Sequence, residues 1–487
     1  MGYLALDLGA SGGTAILGEF DEEKLRLKEV HRFDNSPLES GDKLEWDFDN
    51  LMHQIKIAIK KAYQANPNIK GIAVDTWGVD FGLLDKQGRL ITNPRCYRDS
   101  YTEGYTNKLS KVIDSQRFYS LTGIQQMNIN TVYQLKSLAV NEPQLLKQAK
   151  HLLFMPDLIH YYLSGEMATE YTIASTSQLL NAETKDWEKS LFDELDLPYQ
   201  LMQPVVAPGT RLATLSEEVA KELAVPQIPI YLIGSHDTAS AIGAIPSRED
   251  NTAFLSSGTW SLLGITTPKP ILTKEALKAN FTNEGGIDNK ILFMRNITGL
   301  WILQSLIREW QEQGDKETSY DVLLKASAEA PPFRSFIDSD HPSFSYPESM
   351  TKAIQEFCKE SNQPIPQSKG ELVRAVLESL AIKYALVFKE LESCSGKKLN
   401  SLQVVGGGSL NKQLNQFIAN ALQLPIVTGV IEATAIGNII KQAIASKEIN
   451  WSQADAIINK SFEFNTYKPQ EGREWMQAIE RAQQYYN

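Results

Sequence analysis

Apolar strand-like runs alternate with amphipathic helical stretches along the 487 residues, and that alternation predicts an α/β protein. The length favours two or three domains over one. A duplicated feature sharpens the expectation. Residues 3–20, YLALDLGASGGTAILGEF, read as strand, glycine-rich turn and strand, and residues 252–265, TAFLSSGTWSLLGI, repeat the plan around Ser257-Gly258-Thr259. Two related domains are expected, 1–245 and 246–450, with a polar helical tail, 451–487, packed on them. The stretch AIPSREDN, carrying Pro246, has the composition of a linker between the two.

Composition excludes several function classes. The chain is 42% hydrophobic and 22% charged, as suits a soluble protein with sizeable cores. A net charge of −11 with no basic stripe argues against a nucleic acid or an anionic membrane as partner. A small anionic ligand would need local backbone donors or a metal. Cys96, Cys358 and Cys394 form no C-x-x-C pair, so neither a zinc site nor a disulfide framework is indicated. The opening MGYLALDLG lacks a basic region and is interrupted by Asp7, unlike a signal peptide or a membrane span, so a cytoplasmic location is expected.

The first glycine turn, DLGASGG, follows an apolar strand that ends in Asp7. Gly9, Gly12 and Gly13 permit positive φ and close approach to the backbone, and successive N–H groups can form an anion nest. Asp7 repels a bare phosphate but can hold a hydrated Mg²⁺ that bridges to one. A tight hairpin with a capping aspartate would explain the same residues without a ligand. Gly9-Ala10-Ser11-Gly12-Gly13 also matches the G-x-S-x-G elbow of serine hydrolases, but that elbow needs a helix after the serine, and TAILGEF reads as a strand.

Farther along, VDTWGVDFGLLD places Trp77 beside Gly78 between Asp75 and Asp80. Trp77 and Phe81 fit a core, yet an aromatic face with exposed backbone and paired carboxylates also suits a sugar pocket. In IPIYLIGSHDTAS a buried-type strand ends in His236, Asp237 and Thr238. A helix cap accounts for them, and so does a carboxylate acting as general base on a hydroxyl, with His236 donating to sugar oxygens. In NITGLWILQSLIREW the apolar helical face is Leu300, Leu303 and Ile307, leaving Asn296 and Gln304 as polar candidates. SLQVVGGGSLNKQLNQFIANAL runs from a strand through Gly406-Gly407-Gly408 into a helix near Asn411. It is neither G-x-G-x-x-G nor a P-loop.

The order of DLGASGG, DTWGVDFGLLD, YRDS, MPDL, EYTIASTSQLLN, GSHDTASA, LSSGTWSLLG, NEGG, NITGLWILQ and VVGGGSLN, from about residue 4 to 440, resembles the FGGY carbohydrate kinase family. The resemblance implies two ribonuclease-H-like domains of the actin/hexokinase/Hsp70 superfamily around a central cleft. It implies ATP-dependent phosphorylation of the C1 hydroxyl of a ketose, L-rhamnulose, in L-rhamnose catabolism. Another ketose such as L-fuculose, or a linear autoinducer-type sugar, is the alternative. A non-catalytic actin-like nucleotide-binding protein is a weaker one. Carried over by motif, the catalytic base is Asp237, and the sugar contacts are Gly78, His236, Asp237, Thr238 and Asn296. The ATP contacts are Ala10, Ser11, Gly12, Gly13, Thr14, Thr259, Gln304 and Gly407, with Asp7 on Mg²⁺ through water. The partners implied are a small sugar and ATP, and the assembly a monomer or homodimer.

One position departs from the family pattern. Thr14 stands where relatives usually carry Arg or Lys, and a hydroxyl cannot neutralise phosphate charge. ATP binding is therefore expected to lean on Mg²⁺ and on Thr259.

Overall fold

The computed structural model describes residues 1–21, 23–246, 251–345 and 347–486. By its contacts the chain forms two compact units. The first is Met1–Ser247 with Thr266–Phe293 and Glu432–Phe462, and the second is Arg248–Ile265 with Met294–Ile431 and Glu463–Asn487. Of the linker read at 244–251, residues 247–250 lie outside the described residues.

The first unit is built on six strands: β1 (Gly2–Leu8), β2 (Gly12–Phe20), β3 (Leu25–Asp34), β4 (Ile69–Thr76), β5 (Thr210–Thr214) and β6 (Pro229–Leu232). Their order is β5-β6-β4-β1-β2-β3. β1 and β2 are an antiparallel hairpin, β4 lies parallel to β1, and β6 parallel to β4. β1 and β4 read as nearly continuous apolar runs because both of their faces are covered. Leu4, Leu6 and Leu8 join Ile72 and Val74 in a core with Leu51, Ile55 and Ile59 of helix α1 (Phe48–Ala65). Alternation along the strands then puts Ala5, Asp7, Ala73 and Asp75 on the opposite face.

That second face carries helices α2 (Asp237–Gly243) and α3 (Ala433–Ala445). Asn438 of α3 donates to the backbone O of Ala73 and to Oδ2 of Asp75, and Gln442 donates to the backbone O of Leu4. α2 and α3 cross so closely that a Cβ on Gly437 would lie 1.8 Å from the backbone O of Ser240. Small residues at the crossing are what bring α3 into the first unit, far in sequence from its other elements.

The second unit holds β7 (Thr252–Ser257), β8 (Trp260–Thr267) as far as Ile265, β9 (Ser401–Val405), β10 (Ile426–Thr428) and β11 (Asn465–Tyr467). β7 and β8 form the second strand-turn-strand hairpin, and β9 lies parallel to β7 as β4 lies parallel to β1. The duplicated plan read from the sequence is thus present in both units. The 27-residue helix Lys369–Ser395 opens on a full capping box, Ser368 with Glu371, and buries most of its length. The tail read as one segment is divided. Helix Trp451–Ser461 belongs to the first unit, where Ser461 Oγ accepts from the β3 backbone at Leu25. Helix Gly472–Ala482 belongs to the second, anchored by Trp475 between Phe333 and Phe417.

Candidate active site

A polar row crosses the first sheet at the level of the glycine turn. Asp75 pairs in register with Asp7, Asp7 with Thr14, and Thr14 with Arg32, across four neighbouring strands. Paired residues project on one side, so three acid or hydroxyl groups and a guanidinium share one face. Burial, followed by the charges of Asp237 and Glu432, pushes the Asp7 carboxyl up to about 7. Asp75 is fully buried, and burial together with the charge of Asp7 pushes it well above the usual carboxylate range. Arg32 works the other way on Asp7, lowering it. The neighbouring strand thus brings a cation to the row in which Thr14 stands.

The glycines of the first turn act differently from the expectation. None of Gly9, Gly12 or Gly13 adopts positive φ. Gly9 N–H donates to the Gly12 carbonyl at 2.8 Å, and a Cβ on Gly13 would fall 2.2 Å from the tip of the Phe33 ring. Close packing of β3 over the turn, not a left-handed backbone, requires glycine there. Asn35 fixes the turn from β3's end by donating to the Gly9 carbonyl at 2.9 Å. Ser11 at its tip is exposed, and β2 follows it directly. With no helix after the serine, the hydrolase elbow is absent.

β6 delivers the His-Asp-Thr stretch to the same end of the sheet. Thr76 N–H, at the end of β4, donates to the Ser235 carbonyl at 2.9 Å, and His236 forms a parallel bridge with Thr76. Glu170 holds the approach. Its Oε2 accepts from the N–H groups of Thr172, Ile173 and Ser235 and from the Thr172 hydroxyl, although burial still pushes it up to about 7. Asp237 is the first residue of α2 and keeps 35% of its side chain exposed. Its Oδ1 accepts from Thr238 Oγ1 at 3.1 Å and lies 3.4 Å from His236 Nε2. An aspartate in the first turn is favoured by the helix dipole, and this one remains open to a ligand.

Gly78 sits in a turn built without slack. Val79 has φ of 68°, a conformation that a β-branched residue adopts only under constraint. Its N–H donates to Thr176 Oγ1 at 3.1 Å and its carbonyl accepts from Thr131 at 2.7 Å. A Cβ on Gly78 would press on Thr176 at 3.1 Å. Asp80 is a structural hub: its carboxylate accepts from Trp46, Trp77, Gln134 and the Tyr97 backbone, and burial nonetheless pushes it up to about 6. Trp77 is buried against Trp46, with ring centroids 4.3 Å apart, and Phe81 is buried too. Both aromatics are core residues here.

In the second unit Thr259 and Gln304 are brought together. Thr259 Oγ1 donates to Gln304 Oε1 at 3.0 Å, and the start of helix Trp301–Glu312 is tied to the β7–β8 turn by Gly299 N–H and Leu300 N–H, which donate to Thr259 O and Gly258 O. The triple glycine packs beside the same turn. A Cβ on Gly408 would strike Ser257 Oγ at 2.0 Å, and Gly406 has φ of 81°, whereas Gly407 meets nothing within 4 Å. Gly407 is the glycine that faces open space. Asn411 caps the next helix through Leu414 N–H. Asn296 lies on strand Ile291–Thr298, in the portion assigned to the second unit.

Among the described residues no three His, Cys, Asp or Glu side chains form a metal-binding group. Asp7, beside Asp75 at the glycine turn and facing the charges of Asp237 and Glu432, is an oxygen donor of the kind a hydrated hard cation accepts.

The model of the FGGY family of carbohydrate kinases, N-terminal domain, matches residues 2–243, and that of the C-terminal domain matches residues 253–446. The chain belongs to the FGGY family of carbohydrate kinases. This FGGY kinase is 42% identical to "Rhamnulokinase" of Bacteroides thetaiotaomicron over 97% of each chain. It is 36% identical to "Rhamnulokinase" of Bacillus subtilis over 96% of each. Its fold is that of xylulose kinase from Rhodospirillum rubrum (TM-score 0.81, 15% identity, 99% of this chain and 98% of that one). It is also that of Plasmodium falciparum glycerol kinase with ADP (TM-score 0.79, 15% identity, 99% and 98%). The FGGY kinase is therefore a two-domain α/β enzyme, a phosphotransferase with an alcohol acceptor that takes ATP and a sugar.

Glu170, Glu284 and Asn438 escaped the sequence reading as site residues, and Asp75 was read only as one of a carboxylate pair beside Trp77. Glu284 stood within the quoted NEGG and Asp75 within VDTWG, so their motifs were visible while their partners were not.

Proposed function

We propose that this kinase transfers the γ-phosphoryl group of ATP to the C1 hydroxyl of L-rhamnulose, giving L-rhamnulose 1-phosphate and ADP. The observation that carries the reading is the full-length likeness to rhamnulokinases, and the geometry supports a mechanism for it.

Asp237 accepts the C1 hydroxyl proton as that oxygen attacks phosphorus, since it is a partly exposed carboxylate at a strand-to-helix junction. His236, Thr238, Gly78 and Asn296 orient the sugar through hydrogen bonds and a close backbone approach. On the nucleotide side, Ala10, Ser11, Gly12, Gly13 and Thr14 offer turn donors, and Thr259, Gln304 and Gly407 offer the corresponding groups from the second hairpin. Residues 1–245 are thus read chiefly as the sugar side and 246–450 chiefly as the nucleotide side. Mg²⁺, when bound with ATP, neutralises phosphate charge, and Asp7 would hold it through water. Phosphoryl transfer depends on positioning and charge neutralisation more than on covalent chemistry, which matches a site made of turns, carboxylates and amide donors. We place the enzyme in the cytoplasm, acting as a monomer or homodimer.

A panel of L-rhamnulose, L-fuculose, L-ribulose and D-xylulose in a coupled ADP-release assay tests the assignment. The expected result is a kcat/KM for L-rhamnulose about 10²-fold or more above the others, because buried polar groups reject a misplaced hydroxyl strongly. Preference for another sugar would replace the substrate and leave the kinase class standing.

A further inference from the structure

A buried acid outside the motif-derived contacts touches the His-Asp-Thr stretch. Glu284 lies on strand Thr282–Gly285, whose four residues are all buried. Its Oε2 stands 3.2 Å from His236 Nδ1, an ion-pair distance short of hydrogen-bond alignment, and both atoms are buried with no hydrogen bond to any group. On the far side of the ring, Nε2 lies 3.4 Å from Asp237 Oδ1. One segment fixes both ends of this chain: Thr172 accepts from His236 N–H at 3.1 Å, and Ser175 accepts from Gly285 N–H at 2.7 Å.

The ring is therefore clamped between two carboxylates. To satisfy Glu284, Nδ1 must carry a proton. A neutral ring would then aim the Nε2 lone pair at Asp237, lone pair against lone pair, whereas the imidazolium satisfies both sides. The charged groups facing His236 are Asp237 from its own helix, Glu284 from strand Thr282–Gly285 and Glu170 from strand Thr169–Glu170. Burial works to lower the His236 pKa, but Glu284, then Asp237, then Glu170 outweigh it and the net direction is upward.

We propose that Glu284 is a positioning residue for the kinase reaction: it anchors Nδ1–H of His236, so that Nε2–H is held beside Asp237 as a donor to a sugar oxygen. The inference rests on the reading of His236 as a sugar contact. A neighbour that only filled space would fix neither the charge nor the direction of the ring.

Glu284→Gln keeps the shape and an acceptor but removes the charge. His236 is one of six histidines, so its imidazole C–H resonance can be assigned by comparison with His236→Asn. Its titration midpoint is expected to fall in Glu284→Gln. Glu284→Asp, which keeps the charge on a shorter arm, is expected to show a smaller fall, and it serves if the first variant does not fold. In kinetics, KM for the sugar should rise about tenfold, the scale of one charge-assisted hydrogen bond, with KM for ATP unchanged. The alkaline limb of the kcat/KM profile for sugar should move to lower pH. Unchanged His236 titration in the folded variants overturns the anchoring, and because that reading needs no sugar it is independent of the substrate assignment. A shifted titration with unchanged sugar KM overturns the positioning role.

Discussion

Asp7 and Asp75 are register partners on two parallel strands, and both carboxyls are raised above the usual carboxylate range, chiefly by burial. Asp75 works to lower Asp7 while the charge of Asp7 raises Asp75, so the proton is favoured on Asp75. Asp75 passes the contact on: its Oδ2 accepts from Asn438 Nδ2 at 2.5 Å. The acid nearest the expected phosphate and cation is thus tuned by a neighbour that touches neither.

Both carboxyls are raised above the unfolded value of about 4. Their contribution to stability is therefore complete below about pH 4 and is lost as pH rises through the folded value, about 7 for Asp7. Asp75→Asn mimics the protonated acid, with an N–H₂ donor for Asp7 and a carbonyl acceptor for Asn438. Tm measured from pH 5 to 8 should fall less steeply in this variant than in the parent. Equal slopes would contradict a raised Asp75 carboxyl.

Two glycines separate folding from ligand contact. Gly437 sits where a Cβ meets the Ser240 carbonyl at 1.8 Å, and backbone cannot swing aside as a side-chain tip can. Gly437→Ala should cost about 3 kcal/mol or more, at or beyond the upper end of overpacking, and should lower turnover as well because α2 carries Asp237. Gly407 has open space and no left-handed φ. Gly407→Ala should leave Tm nearly unchanged while raising KM for ATP. Denaturation curves and ATP titrations of the two variants check the contrast. A stability loss at Gly407 equal to that at Gly437 would contradict it.

Much of the fold was legible because its signals are local. The two strand-turn-strand hairpins, the helix after Asn411 and the helix start at Asp237 are each written within one short continuous stretch. What could not be read depends on pairing between distant segments. Asp7 meets Asp75, Thr14 meets Arg32 and His236 meets Glu284 only after the strands have chosen their register. The same limit explains the first turn. Glycine at 13 makes room for Phe33, twenty residues on, and nothing within DLGASGG says so. It also explains the tail, whose two helices pack on different units because their apolar faces meet different cores.

The central claim is that Asp237 takes the proton from the attacking hydroxyl, and Asp237→Asn tests it most directly. The amide preserves the shape and the contact with Thr238 while removing the base. Measured as sugar-dependent ADP release at saturating ATP, turnover should drop about 10²–10⁴-fold, the usual worth of a general base, with ATP affinity retained. Near-normal turnover in a folded Asp237→Asn protein would contradict the account.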